Sequence, residues 1–373
     1  MPAGSAVKPI VPGLLVAALA LAGTTASAQS SQTITDRTAV TMFGVADATI
    51  GYGEGSKSRL IRLYSDGNST SRVGFRGVQD LGGGLAAGFW LEMGYALDTG
   101  LGAAGNTNNQ PDGATTSNVI SFNRRATVSL ADRWGELRLG RDITASYRNR
   151  EDMDPFGNNG VGTTEPQVES IAGPTSTRAS NMIGYFLPAD LHGFFGEVQY
   201  FLGETVSGTG LPSTRDGTGY SARLGFSAGN FAMAAAGSQV HYARTATFGT
   251  VHVFNIGAAY DFKFARVTVG YYRDSVDSAP PVVRKGLVLG AVVPVGLDQL
   301  KMAVSSYGTR EPGDPATRKL SLGYVHNLSK RTALYVTGAY VHNSGGASVA
   351  LNGASTAPNK SSRGMDLGMR HSF

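Results

Sequence analysis

The 373-residue sequence contains no cysteine, so disulfide bonds and cysteine-based metal sites are excluded. Beyond its first residues it has no apolar stretch near the roughly 20 residues that a membrane-spanning helix requires. The net charge is only +5 when the histidines are neutral, so we expect no nucleic-acid partner. Any membrane crossing is therefore expected to use strands.

The first residues are typical of an export signal. Lys8 supplies a positive charge, residues 11–23 form a short apolar core, and Ala26-Ser27-Ala28 provides the small residues of a cleavage site. An N-terminal anchor is the alternative, but this apolar core is too short to span a bilayer as a helix. We expect cleavage after Ala28, which leaves Gln29 as the first mature residue. We therefore expect the signal to be 1–28 and 29–373 to form one domain.

The composition favours many short strands. The sequence has 51 glycines, 15 tyrosines and 16 phenylalanines, and its 24 arginines far outnumber its 8 lysines. About sixteen alternating or apolar runs have the length at which a tilted strand crosses a membrane. They are 40–52, 71–80, 84–97, 118–130, 134–143, 180–187, 193–203, 218–228, 230–240, 250–262, 264–274, 285–294, 299–308, 317–326, 331–342 and 362–373.

The connections between these runs alternate between short and long. Short turns of three to five residues follow every second run, as at 80–83 and 131–133. The others are long and polar: 53–70, 98–117, 144–179, 204–217, 241–249, 275–284, 309–316 and 343–361. This alternation predicts an all-β, transmembrane, antiparallel barrel of about 16 strands, with short periplasmic turns and long extracellular loops.

The last twelve residues show the expected strand pattern at its clearest. Met365, Leu367, Met369 and Phe373 alternate with polar or small residues, so one face is apolar and the other is polar. A strand between lipid and a wet lumen has this pattern, and it ends here on an aromatic residue.

The sequence resembles the trimeric general porins of Gram-negative outer membranes, particularly the neisserial and β-proteobacterial branch. The pieces that carry this resemblance are Val40-Thr41-Met42-Phe43-Gly44-Val45-Ala46-Asp47-Ala48, Ser71-Arg72-Val73-Gly74-Phe75-Arg76-Gly77, Asp80-Leu81-Gly82-Gly83-Gly84-Leu85, Phe122-Asn123-Arg124-Arg125 and Leu139-Gly140-Arg141. The resemblance implies a sixteen-stranded homotrimer in the bacterial outer membrane, whose third long loop folds into the barrel. It also implies contact with outer-membrane lipids and lipopolysaccharide, and recognition of Phe373 by the barrel assembly machinery.

The resemblance assigns the acidic side of a pore constriction to the longest connection, 144–179. Without it, the same segment would be interpreted as a solvated acidic surface loop. Charges of opposite sign across a narrow neck set a field that sorts solutes by charge. The candidate acidic residues are Glu151, Asp152, Asp154, Glu165 and Glu169.

The basic side is expected from arginines on early strands. Arg72 and Arg76 share one strand face by their period-two spacing. In the fourth strand, periodicity turns Arg125 inward, whereas the resemblance favours Arg124, so we favour Arg124 and keep Arg125 in reserve. Gly184 stands where relatives often carry an arginine, which removes one positive group. Asp47, Arg138 and Arg223 are further lumen candidates.

The expected function is passive diffusion of small hydrophilic solutes and ions through a water-filled channel with a weak preference for anions. We expect no enzymatic activity, cofactor or metal, because no histidine has a Gly-x-Ser-x-Gly or His-Glu-x-x-His motif nearby. Gly82-Gly83-Gly84 lacks the lysine of a phosphate-binding loop and is interpreted as a turn. The alternatives are a substrate-specific channel and an adhesin-like barrel that binds through its surface loops.

Overall fold

The computed structural model describes residues 39–110, 120–206, 213–310 and 313–373. The expected cleavage site at Ala28 and Gln29 lies outside these residues. So do the first two residues of the expected run 118–130 and parts of three expected loops: 98–117, 204–217 and 309–316.

The described residues form seventeen strands, two short α-helices and two 3₁₀ helices of three residues each. In chain order the strands and α-helices are β1 Ala39–Glu54, β2 Arg59–Ser65, β3 Arg72–Gly82, β4 Leu85–Gly94, β5 Arg125–Asp132, β6 Gly135–Ile143, α1 Ala145–Asp152, α2 Glu165–Val168, β7 Arg178–Phe186, β8 Phe194–Phe201, β9 Gly219–Ala228, β10 Phe231–Val240, β11 Val251–Asp261, β12 Arg266–Val276, β13 Val282–Val295, β14 Asp298–Thr309, β15 Ala316–Asn327, β16 Thr332–Ser344 and β17 Ser362–Ser372.

The strands close into a barrel through β1. One edge of β1 pairs with β17, from Val45 opposite Ser372 to Glu54 opposite Arg363. Its other edge pairs with β3 over residues 39–45 and with β2 over residues 48–54. Because β2 and β3 share one position in the wall, the barrel has sixteen strand positions, all antiparallel. The predicted closed antiparallel barrel is confirmed.

The main difference from the expected strands is β2, which lies in the expected loop 53–70. In the structure β1 extends to Glu54. The backbone N–H and C=O groups of its residues 48–54 therefore need a hydrogen-bonding partner on this edge, and β2 supplies it. Leu60, Ile61 and Leu63 of β2 supply an apolar surface and are all exposed. A six-residue interruption, 66–71, then separates β2 from β3.

The barrel exposes apolar residues and buries polar ones. On β15, Leu320 and Leu322 are 56% and 55% exposed, whereas Lys319 and Ser321 are 3% and 2% exposed. This arrangement is the reverse of a water-soluble β-sandwich and is what a barrel surrounded by lipid requires. None of the helices in the described residues has the length and apolar character needed to span a bilayer.

Short turns join strands at one end of the barrel. The turn from β3 to β4 uses Gly82, Gly83 and Gly84 with φ values of 88°, 66° and 96°. Asp80 stabilises it, because its Oδ1 accepts a hydrogen bond from the Gly82 N–H at 2.7 Å. These left-handed backbone angles favour glycine, so the triple glycine forms a turn as predicted.

The long connection after β6 packs against the buried face of distant strands. Helix α1 contacts β8 to β11, and α2 contacts β13 to β15. Between them, the backbone N–H of Val161 donates to Asp366 of β17 at 2.6 Å. Gly290 leaves the room that Pro155 occupies, because a Cβ at this glycine would lie 2.1 Å from Pro155 Cγ.

The returning part of this connection is anchored by apolar contacts. Ala172 is buried with Phe201, Val240 and Val251, and Ile171 packs against the same cluster. The segment 144–177 therefore contacts walls from β8 to β17 and rejoins the barrel at β7.

Candidate functional site

One carboxylate on β4 brings two of the predicted arginines together. The Arg124 Nε donates to Glu92 Oε1 at 2.5 Å, and the Arg72 Nε lies 3.9 Å from the same oxygen. Arg72 also donates from Nη1 to the carbonyl of Thr70 at 2.8 Å. Glu92 was not among the predicted acids, although it shares the polar face of its strand with Gly88 and Gly94.

The neighbouring Trp90 lies beneath two further arginines. The guanidinium carbons of Arg76 and Arg125 lie 5.1 and 4.5 Å from the centre of its ring. Arg76 also lies 5.5 Å from the ring centre of Phe43, which meets Trp90 edge-on at 5.0 Å. Such distances are typical of cation–π contacts.

The structure brings both Arg124 and Arg125 to this site. β5 begins at Arg125, which pairs with Glu92 across the sheet and whose Nε donates to Thr127 Oγ1 at 3.0 Å. Arg124 precedes the strand, outside its regular alternation, and still reaches Glu92. Period two places Arg125 on this face, but it does not apply to Arg124, which comes before the strand begins.

A second carboxylate, Asp142 at the end of β6, gathers three more arginine contacts. Arg138 Nη1 donates to Asp142 Oδ2 at 2.6 Å, and this oxygen lies 3.7 Å from Arg125 Nε and 3.9 Å from Arg148 Nη2. The ion pairs continue on both sides. Arg138 also pairs with Glu136 at 2.8 Å, and Arg148 with Glu197 at 2.9 Å.

The acidic residues predicted on 144–179 have different surroundings. Asp152 accepts a hydrogen bond from Arg223, one of the further lumen candidates. Asp154 is buried and accepts from the backbone N–H groups of Phe156 at 3.0 Å, Asn158 at 3.2 Å and Thr164 at 3.3 Å.

Glu165 is fully buried and lies 3.5 Å from Lys319 Nζ on β15. Glu169 is near Arg284, whose Nη1 donates to the Glu169 carbonyl at 3.0 Å. Glu151 stays partly exposed. Burial raises the pKa of Glu151 and the charge of Asp152 adds to this, although nearby arginines oppose it.

A buried ion pair holds α1 to the barrel wall. Arg150 Nη2 donates to Asp274 Oδ1 of β12 at 2.6 Å, and Ser170 Oγ donates to the other oxygen at 2.8 Å. The hydroxyl of Tyr307 on β14 also donates to Asp274. Sequence reasoning missed this pair, since Arg150 and Asp274 are separated by 124 residues and no local pattern links them.

The remaining predicted residues lie on the wall. Asp47 is fully buried and accepts from the backbone N–H groups of Asn68 at 3.1 Å and Ser69 at 2.7 Å, and from the Tyr335 hydroxyl. Phe373 extends β17, exchanging two backbone hydrogen bonds of 3.0 Å with Gly44. Gly184 leaves its place on β7 without a charge. Within the described residues, no three His, Cys, Asp or Glu side chains lie close enough to hold a metal ion.

Comparisons with known proteins identify relatives over the full barrel. Residues 15–346 match the family model described as Gram-negative porin. The outer membrane porin protein 32 of Delftia acidovorans is 30% identical, and the alignment covers 96% of this chain and 99% of the relative. An outer membrane porin protein of Bordetella pertussis is 26% identical over 88% of this chain and 94% of its own.

Solved structures agree with this result. The structure described as an anion-selective porin from Comamonas acidovorans superposes with a TM-score of 0.78 at 29% identity, covering 90% of this chain and 100% of that one. OmpF from Salmonella typhi superposes with a TM-score of 0.61 at 13% identity, covering 91% and 98%. At that identity the second match shows the fold alone.

Proposed function

The chain belongs to the Gram-negative porin family, and on that premise we propose a passive, weakly anion-preferring channel for small hydrophilic solutes and ions. The protein is an outer-membrane porin with a closed β-barrel. Diffusion through such a barrel requires neither covalent chemistry nor an energy source.

We propose that the segment 144–177 lies inside the barrel and narrows it. Its contacts support this, because they fall on the polar, buried face of the strands rather than on the apolar, exposed face. Asp366, Lys319 and Asp274 all face it from different strands. The segment would then occupy the side lined by β8 to β17 and leave the passage beside β3 to β6.

The observation that carries the anion preference is the ratio of charges on β3 to β6, beside this passage, and on the adjoining α1, β8 and β9. Through the ion pairs and ring contacts described above, seven arginines are associated with five carboxylates. Guanidinium groups stay protonated at any physiological pH, so a positive excess remains. Because this excess of positive charge is small, we expect the preference for anions to be small as well. The arginines are Arg72, Arg76, Arg124, Arg125, Arg138, Arg148 and Arg223.

The predicted acidic residues divide into two roles in this proposal. Glu151 and Asp152 act directly, because they lie at the end of α1 that faces the arginines. Asp154 and Glu165 act indirectly, since their oxygens are buried and hold the segment in place. Glu169 belongs with this second group.

We also propose the partners that the family suggests: a homotrimer, outer-membrane lipids and lipopolysaccharide, and the assembly machinery acting on Phe373. Removal of the signal at Ala28 completes this proposal. Cross-linking in native outer membranes would test the trimer, and N-terminal sequencing of the mature protein would test the cleavage site.

Single-channel recording in planar bilayers tests the function. We expect discrete conductance steps and, in a salt gradient, a reversal potential that favours chloride. Asp152→Asn removes one negative charge from the passage and should increase the chloride preference. Asp154→Asn should instead increase current noise, because it weakens three backbone hydrogen bonds that shape the segment. Insertion without conductance would overturn the channel proposal.

A further inference from the structure

We propose that Trp90, Phe43, Arg76 and Arg125 form a binding site for planar aromatic carboxylates within the channel. This inference rests on the proposed function, because solutes must reach the inner wall. It adds a preferred class of solute to a channel that otherwise selects by charge and size.

The four side chains form one continuous patch on the inner face of β1, β3, β4 and β5. Arg76 pairs with Trp90 across the sheet, and Arg125 begins the next strand beside it. All four are partly exposed, whereas the adjacent Glu92 is buried. The Trp90 ring is held in place because its Nε1 donates to Glu92 Oε2 at 3.1 Å.

The charge on Arg76 is available to a ligand. Among the described residues, no carboxylate lies within 4.0 Å of its guanidinium, which lies instead over the two aromatic rings. Arg72, Arg124 and Arg138, in contrast, each have a carboxylate within that distance. A guanidinium stacked on a ring keeps its N–H groups in its own plane, where they can donate to both oxygens of a carboxylate.

Arg125 adds a second cation to the same ring. Its nearest carboxylate is Asp142 at 3.7 Å, a group that Arg138 already binds at 2.6 Å. Two guanidinium groups over one indole repel each other, and a bound anion would reduce that repulsion. The patch therefore favours a negative charge at this position of the wall.

The aromatic part of the ligand follows from the same geometry. A flat ring attached to the carboxylate can continue the stack on a guanidinium face or lie against the edge of Phe43. Aromatic contacts of this kind strengthen association by roughly fivefold over an aliphatic ring of similar size. A saturated ring carries the same charge but lacks the flat π face.

Benzoate and cyclohexanecarboxylate are matched probes for this patch. Each is added to a chloride solution of constant ionic strength while single-channel currents are recorded. We expect saturable interruption of the chloride current, with half-maximal effect at a roughly fivefold lower concentration for benzoate. Trp90→Leu should remove most of this difference between the two probes. Trp134→Leu is the matched control, because this other tryptophan is 44% exposed and stacks on Tyr185.

Fluorescence gives a reading that does not depend on conductance. In a Trp134→Phe protein, Trp90 is the one remaining tryptophan, and benzoate should shift its emission saturably while cyclohexanecarboxylate has a weaker effect. Equal potency of the two probes in the wild type, or a difference that survives Trp90→Leu, would overturn this inference. If the protein still conducts chloride in that case, the channel proposal is unaffected. An absence of conductance would instead overturn the channel itself.

Discussion

Glu92 gives the most direct test of how the wall sets ion preference. Its carboxylate lies within 4.0 Å of Arg72 and Arg124 and is 8% exposed as a residue. Glu92→Gln keeps the size of the side chain and an oxygen for the Trp90 N–H, but it removes the negative charge. Two arginines would then face the passage without a counter-charge.

The size of the effect follows from Coulomb's law. An ion passing about 6 Å from the carboxylate interacts with it by about 0.7 kcal/mol in water, and by several-fold more at a lower effective dielectric constant. Screening at 0.1 M salt, with a Debye length of about 10 Å, roughly halves the lower figure. Because the change favours the anion and disfavours the cation, the chloride-to-potassium permeability ratio should rise about threefold at 0.1 M.

The assay is the reversal potential of the variant in a tenfold potassium chloride gradient, at low and at high total salt. The effect should nearly disappear at 1 M, where the Debye length is about 3 Å. Glu54→Gln is the matched control, because this glutamate pairs with Arg363 and lies on the opposite face of β1 from Asp47. The reasoning is refuted if the ratio is unchanged, moves toward potassium, or rises equally in the control.

Two further predictions concern how the segment 144–177 is held. Asp274→Asn leaves Arg150 buried without its counter-charge, which should destabilise the docked segment by about 3–5 kcal/mol and appear as frequent current fluctuations. Gly290→Ala places a Cβ where the structure has only 2.1 Å to Pro155 Cγ. Such overpacking costs about 1–3 kcal/mol, and the displaced segment should change the unitary conductance.

Each of these variants has a matched control. Asp277 lies in the same region and pairs with the partly exposed His252. Asp277→Asn should therefore add no fluctuations to the current. Gly338→Ala adds a Cβ with no atom within 4 Å, and it should conduct like the wild type. If the Asp274→Asn channel shows no added current fluctuations, the ion pair does not anchor the segment. If the Gly290→Ala channel has the unitary conductance of the wild type, Pro155 can move without changing the passage.

The strands were predictable because their signal is local. Alternation along β15 or β17 can be read from neighbouring residues, and most predicted runs lie within a few residues of the observed strands. β2 was missed because Leu60 and Ile61 are adjacent apolar residues rather than alternating ones. β2 forms because residues 48–54 of β1 need a hydrogen-bonding partner. That need depends on the rest of the barrel and cannot be read from the residues of β2.

The ion pairs of the site were only partly predictable. Arg72 and Arg76 could be assigned to one face by spacing, but their carboxylate and aromatic partners lie on another strand. Asp142 is paired with arginines of β5, β6 and α1, and Asp274 with Arg150 of α1. Nothing in the sequence distinguishes them from ordinary solvated acids, because side-chain periodicity says which face a residue occupies and not what it meets there.

Asp47 shows that formal charge and effective charge differ inside such a barrel. A tally of ionisable residues along the inner wall would count it as an attraction for cations. Its oxygens, however, are occupied by two backbone N–H groups from the interruption between β2 and β3 and by the Tyr335 hydroxyl. Solute ions therefore meet a carboxylate that is buried and already surrounded by hydrogen-bond donors, and the conductance properties of the channel should be interpreted from the surroundings of each charge rather than from its sign alone.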